Sequence, residues 1–123
     1  MKAWLQRHDL SSTEFDVVDS DAAIRILLEF DWRAERELQA RKDGDTCDPG
    51  LGLIVGDGHI LHLCPDGAGR CLVHFHQPTR GRIPWLTRSR KAVKSWHEVP
   101  LERVGQMIEN LFSGDFETLR CRE

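Results

Sequence analysis

The chain has 123 residues, a length that favours one domain, spanning residues 1–123, whose core can form without disulfides or metals. Its 17 basic and 20 acidic residues give a net charge of −3, so whole-chain charge favours neither nucleic acid nor a membrane surface as partner. The charge is uneven. Residues 1–31 hold three basic and seven acidic residues, whereas residues 77–96 hold six basic residues and no acidic one.

The sequence has no basic-then-apolar leader and no apolar run near the ~20 residues that a membrane-spanning helix needs. We therefore expect a cytosolic (cytoplasmic) protein. Its four cysteines, Cys47, Cys64, Cys71 and Cys121, are then expected to be reduced thiols. An alternative is a disulfide between Cys64 and Cys71, which stand at the facing ends of two predicted strands.

The first residues predict two short strands and a helix. Residues 1–7 alternate Ala3 and Leu5 with more polar positions, which is typical of a terminal strand, and residues 14–18 are a second extended candidate. Residues 21–31 predict a helix, because apolar side chains recur at helical spacing after Ser20, a good N-cap.

Residues 33–42 are mostly helix formers, but their apolar side chains are too sparse to bury a helix face. A continued helix and a polar strand are therefore both open for this stretch. Residues 43–50 are polar, acidic and rich in turn formers, which predicts a solvated loop.

Residues 51–76 predict a three-stranded antiparallel meander, with apolar runs at 51–55, 59–64 and 71–76 separated by glycine and aspartate turns. If Cys64 pairs with Cys71, the strands place their side chains in two sets. One face then carries Ile60, His62, Cys64, Cys71, Val73 and Phe75, and the other carries His59, Leu61, Leu63, Leu72, His74 and His76.

After a turn at 77–82, residues 83–87 and 94–99 predict two more strands around a basic bend. Residues 101–112 predict an amphipathic helix that begins near Pro100 and ends at Gly114. Together the elements predict an α+β fold: a single, mostly antiparallel sheet of five to seven strands with two main helices packed on it.

The histidines of the meander suggest one alternative function. In the predicted register His59 and His76 are opposite and His74 is diagonal to them, so three imidazoles could approach one divalent ion. A metal-dependent enzyme would use them. Neither C-x-x-C nor H-E-x-x-H occurs, and the other interpretation is half-exposed strand histidines.

The basic patch at residues 80–94 suggests a second alternative, a small nucleic-acid-binding protein. Its cations would contact phosphates, and Trp85 and Trp96 would stack on bases. The acidic remainder of the chain would repel a nucleic acid, and a tryptophan in a strand is commonly a core residue. The sequence has no G-x-S-x-G elbow and no phosphate-binding glycine loop, so we expect no catalytic residue.

The sequence closes with Val99-Pro100-Leu101-Glu102 through Phe112-Ser113-Gly114-Asp115-Phe116, after a meander of form LxLIVGDGxILHL…CLVHF. This order resembles small immunity proteins of bacterial polymorphic toxin and contact-dependent growth inhibition systems. The resemblance covers about residues 19–119. It implies a cytosolic antitoxin that binds one cognate toxin domain, commonly a nuclease or deaminase, as a heterodimer and inhibits it without catalysis, cofactor, metal or membrane.

Charge and expected exposure predict a contact surface independently of that resemblance. Acidic side chains in loops and turns suit a basic nucleic-acid-binding cleft, and basic side chains at the opposite edge suit acids on the partner. The predicted contact residues are Asp43, Asp45, Asp48, Asp57 and Asp66, together with Arg80, Arg82 and Trp85.

Overall fold

The computed structural model describes residues 1–56, 58–78 and 92–121. Their order is β1 (Lys2–Gln6), β2 (Ser12–Asp16), α1 (Ser20–Glu29), α2 (Trp32–Arg41), β3 (Gly50–Ile54), β4 (Ile60–Pro65), β5 (Arg70–Gln77), β6 (Ala92–Pro100), α3 (Leu101–Ser113) and α4 (Phe116–Cys121). The strands form one sheet, ordered β2-β1-β3-β4-β5-β6, in which all neighbours are antiparallel. The predicted α+β class with a single antiparallel sheet is confirmed.

The helix predicted over residues 21–31 is present as α1, but its N-cap is Asp19 and not Ser20. The Asp19 carboxylate accepts a hydrogen bond from the backbone N–H of Ala22 at 2.8 Å. An aspartate also places a negative charge at the positive end of the helix dipole, which favours the start one residue earlier.

Residues 33–42, for which helix and strand are both open from sequence, lie almost entirely in α2. The helix starts after Asp31, whose carboxylate accepts from the backbone N–H of Ala34 at 3.0 Å. It buries only Trp32 and Glu35. Few apolar residues suffice because α2 crosses one end of the sheet, where Arg36 Nε donates to the carbonyl of Pro65 at 3.0 Å.

The helix predicted over residues 101–112 is confirmed as α3. Its buried stripe is Val104, Met107, Ile108 and Leu111, and Glu102, Arg103, Gln106 and Glu109 face outward as the spacing predicts. Gly114 follows the last turn in the left-handed region, with φ of 79°, and its N–H bonds back to the carbonyls of Asn110 and Leu111.

The predicted register of the β4–β5 hairpin is wrong by one residue. Cys64 lies opposite Leu72, and Pro65 lies opposite Cys71. The turn decides this, because Asp66 starts it: its N–H bonds to the carbonyl of Arg70, and its carboxylate accepts from the N–H groups of Ala68 and Arg70. A slip of one residue exchanges the faces of one strand relative to the other.

The corrected register sorts the meander into a core face and a second face. Leu61, Leu63, Cys71, Val73 and Phe75 are buried together, whereas His62 joins His74 and His76 on the second face. Because Cys64 and Cys71 now lie on opposite faces, the alternative of a disulfide between them is also wrong, and both are free thiols.

The core lies between the first of these faces and the helices. Buried side chains of α1, α3 and α4, among them Leu27, Ile108 and Leu119, join one cluster with the buried residues of the sheet. Across the described residues, we find no helix with the length and apolarity to cross a membrane.

Candidate partner-binding face

The second face of the sheet, which we call the histidine face, lies opposite the core cluster. Strand alternation and register place on it Trp4, Gly52, Ile60, His62, Cys64, Leu72, His74, His76, Val93 and Ser95. Trp4 and the three histidines are half-buried there, and Val93 and Ser95 are exposed. This face combines rigid strands with aromatic side chains that the core does not enclose.

Trp4 crosses the neighbouring strand β3 at Gly52. A Cβ atom at residue 52 would lie 2.1 Å from Cε2 and Cζ2 of the indole, so only glycine leaves room for the ring. The indole therefore lies directly on the backbone of a central strand. That close approach fixes its position better than contacts with side chains alone would.

Three aromatic rings continue in a row from Trp4 across the sheet. The ring centroids of Trp4 and His62 are 5.8 Å apart, those of His62 and His74 are 6.0 Å apart, and those of His74 and His76 are 6.4 Å apart. Nδ1 of His74 lies 2.7 Å from the hydroxyl of Ser95 on β6. The row of rings thus extends from β1 across β3 and β4 to β5, and the contact between His74 and Ser95 connects it to β6.

The His62 imidazole is neutral near pH 7. Its pKa is lowered to about 4, mainly by burial, with smaller contributions from the neighbouring His74 and His76 and an opposing one from the carboxylate of Asp48. A neutral imidazole both donates and accepts hydrogen bonds. The middle of the row therefore offers a partner a polar surface without charge.

The thiols near this face are not activated as nucleophiles. Burial raises the pKa of Cys64 to about 11 and that of Cys71 to about 12. Sγ of Cys64 lies 3.7 Å from Nε2 of His62, but a thiol with this pKa stays protonated near neutral pH. We find no described Cys/His pair here with the thiolate that nucleophilic catalysis requires.

The three histidines of the metal-site alternative do not converge on one ion position. His59 is buried on the core side, where its ring stacks 4.1 Å from Phe116 and 5.8 Å from Phe75. The register correction separates it from His74 and His76, which lie on the histidine face. In residues 1–56, 58–78 and 92–121, no three histidine, cysteine, aspartate or glutamate residues are arranged to hold a metal ion.

The structure places four of the predicted contact residues. Asp43 and Asp45 are exposed in the loop between α2 and β3, and Asp66 is exposed in the β4–β5 turn. Asp48 is bound within the molecule by Gln39 Nε2 and Arg36 Nη1, each at 3.0 Å. The hydrogen bond from Gln39 is the main cause of the lowered pKa of Asp48, and Arg36 adds to it.

The other predicted contact residues, Asp57, Arg80, Arg82 and Trp85, lie outside the described residues. The strand predicted over residues 83–87 and most of the basic patch do so as well. Lys94 of the basic patch and the nearby Trp96 are described, and both belong to β6. Trp96 is in the core, and Nζ of Lys94 lies 5.5 Å from the centre of the Trp96 ring. Trp96 is therefore a core residue and not a platform for stacking bases.

Comparisons with protein-family models, curated proteins and solved structures found no match. The resemblance to immunity proteins consequently rests on the order of elements and the closing segment at residues 99–116.

Sequence reasoning missed Trp4, Gly52 and His62 as parts of one surface. A signal for the first two was present, because a glycine inside an apolar strand pattern often marks a close approach to the backbone. The sequence did not indicate that the indole of Trp4 is the group that lies against Gly52. His62 was assigned to the wrong face because the register was wrong by one residue.

Proposed function

We propose that this protein is an immunity protein that binds a cognate toxin domain, a nuclease or deaminase, and blocks it without catalysis. The observation that carries the proposal is the histidine face, on which an indole and three imidazoles are held on rigid strands. Side chains that are already ordered lose little entropy on binding. Tryptophan in particular is enriched among the residues that dominate binding energy at interfaces.

The charge of the neighbouring loop supports the same function. Asp43 and Asp45 are exposed, and the loop that carries them leads into β3 beside the β1–β2 turn, where the N–H of Cys47 bonds to the carbonyl of His8 at 3.1 Å. Acidic groups near an interface accelerate association with a basic partner. A nucleic-acid-processing toxin has a basic cleft for its substrate, which suits this loop.

The thiol chemistry and the closing segment also favour binding. Burial raises the pKa of the Cys64 and Cys71 thiols, so these two thiols stay protonated near neutral pH and are poor nucleophiles. The order Val99-Pro100, helix, Phe112, Gly114-Asp115 is the part of the chain that resembles immunity proteins. Inhibition by binding alone needs a stable scaffold and an accessible surface, and the sheet with its histidine face suits this requirement.

The direct experiment is co-purification with the C-terminal domain encoded by the gene directly upstream, combined with the toxicity of that domain expressed alone. We expect a tight one-to-one complex and loss of toxicity. The location of the interface is tested by two matched exposed serines, Ser95 on the histidine face and Ser113 at the end of α3. Ser95→Arg should weaken the complex about tenfold or more, since a long charged side chain would block the face.

Ser113→Arg should leave the affinity within about twofold, because this serine lies on the helical side and a basic residue suits a helix C-terminus. Equal effects of the two substitutions would contradict binding through the histidine face. Absence of both a complex and toxicity would contradict the immunity function. In a separate titration of the protein with nucleic acid, an affinity that falls steeply with salt would favour the nucleic-acid alternative.

The acidic loop gives a kinetic prediction. In Asp43→Lys combined with Asp45→Lys, we expect the association rate with the toxin domain to fall about tenfold at low salt while the dissociation rate changes little. The difference from wild type should narrow at high salt, because screening weakens long-range attraction. Surface plasmon resonance over a salt series measures both rates. An unchanged association rate at low salt would remove this loop from the proposed surface.

A further inference from the structure

The β1–β2 turn exposes a leucine in a backbone conformation that suits glycine. Leu10 has a φ of 72°, and the residue is 57% exposed. The turn is a three-residue hairpin loop: the N–H of Leu10 bonds to the carbonyl of Arg7, and the N–H of Arg7 bonds to the carbonyl of Ser11. Such loops place their last residue in the left-handed region, where glycine is usual.

A large apolar side chain at this position is unfavourable for the isolated protein in two ways. The left-handed conformation crowds its Cβ atom, and the exposed side chain gains little from burial. Exposure by itself is not unusual, since Val18 is 88% exposed. Among the described residues, Leu10 and Glu98 are the two non-glycine residues with a positive φ. Glu98 lies at the bulge where the register of β5 and β6 shifts, whereas Leu10 lies in a turn.

The surrounding contacts hold the turn rigidly. The carboxylate of Asp9 accepts from the N–H of Ser11 at 3.0 Å and from its hydroxyl. Before the turn, Arg7 and His8 both bind the buried carboxylate of Glu35 on α2, with Arg7 Nε at 3.0 Å and His8 Nδ1 at 2.7 Å. The backbone that carries Leu10 is thus held in place on both sides.

The turn also adjoins the histidine face. Gln6, which follows Trp4 on the same face of β1, donates from Nε2 to the carbonyl of Ser11 at 3.2 Å and contacts Sγ of Cys47 at 3.3 Å. Asp9 in the turn itself is exposed, and so is Asp45 in the loop that Cys47 holds against the turn. Leu10 is therefore an apolar projection with acidic neighbours beside the proposed interface.

We propose that Leu10 is an apolar anchor that inserts into a pocket of the partner protein, and that basic side chains border this pocket. The inference rests on the proposed function and adds the part of the surface that supplies affinity. An apolar side chain on an ordered turn fits the role, because the backbone that carries it loses little freedom on binding and its apolar surface is removed from water only in the complex.

The test measures stability and toxin affinity together in Leu10→Gly. Glycine relieves the strained conformation, so we expect the thermal unfolding midpoint to stay or rise, while the affinity for the toxin domain falls about tenfold or more. Leu10→Met keeps an apolar side chain of similar volume and should bind within about threefold of wild type. Val18→Gly is the control, and it should leave affinity unchanged because Val18 lies away from this turn at the start of α1.

The outcomes separate this inference from the proposed function. If wild type binds the toxin domain and Leu10→Gly binds equally well, the anchor is overturned while the immunity function stands. A lowered unfolding midpoint for Leu10→Gly would overturn the argument from strain, because it would show that the leucine stabilises the free protein. If wild type forms no complex, both proposals fail together.

Discussion

Truncating Leu63 to alanine will lower the free energy of unfolding by about 2–5 kcal/mol. Leu63 is 0% exposed on the core face of β4, a central strand, so alanine loses the full apolar burial and leaves a cavity that rigid strands cannot close. Denaturant unfolding followed by circular dichroism measures the change. The slope of free energy against denaturant should match that of wild type, since the fold is kept.

Leu72→Ala is the matched control for this prediction, and it tests the register of the β4–β5 hairpin. Leu72 lies on the histidine face opposite Cys64 and is half-buried, so we expect a loss of about 1 kcal/mol. With Cys64 opposite Cys71, the two leucines would share one face and their truncations would cost similar amounts. Equal losses would therefore contradict the register described above.

Replacing His62 with glutamine will remove a large part of the acid sensitivity of the fold. The pKa of His62 is lowered from 6.5 to about 4 in the folded protein, so the unfolded chain binds the proton first as the pH falls. Its contribution to stability is complete above about pH 6.5 and is lost progressively down to about pH 4. Each pKa unit corresponds to about 1.4 kcal/mol, and allowing for partial exposure we expect a loss of about 2–3 kcal/mol.

The measurement is a series of urea unfolding curves between pH 7 and pH 4 for wild type and His62→Gln. Glutamine keeps a polar side chain but does not titrate, so the two curves of stability against pH should diverge as the pH falls through this window. His97→Gln, at an exposed histidine of β6, is the matched control for the change of side chain. Parallel curves for wild type and His62→Gln would show that burial does not lower the pKa of His62.

Both predictions depend on which face each meander residue occupies, and the sequence alone left this undecided. The apolar runs and turn residues of 51–76 correctly indicated three antiparallel strands. The register depended on the hydrogen bonds of Asp66, which start the turn one residue later along β4 than the pairing of Cys64 with Cys71 assumes. The two registers fit the local sequence pattern almost equally well, but a shift of one residue changes the cross-strand neighbours of every side chain.

For the predicted contact residues, too, the sequence indicated some features correctly and left others open. Loop position and charge correctly indicated that Asp43, Asp45 and Asp66 are exposed. Nothing local indicated that Asp48 is bound by Gln39 and Arg36, because those two residues lie in a stretch whose secondary structure the sequence left open. An acid that is already paired within the molecule has less to offer a partner.

The sequence by itself determined the class of fold and the features that depend on local repetition. The stripe at Val104, Met107, Ile108 and Leu111 specified α3, and Gly114 specified its end, because helix periodicity and capping act between residues close in the chain. Tertiary structure alone decided the histidine face: the indole of Trp4 lies on Gly52, and His62 lies beside His74, across strands distant in sequence. Such contacts depend on strand register and on packing of the whole core, which local patterns specify only in part.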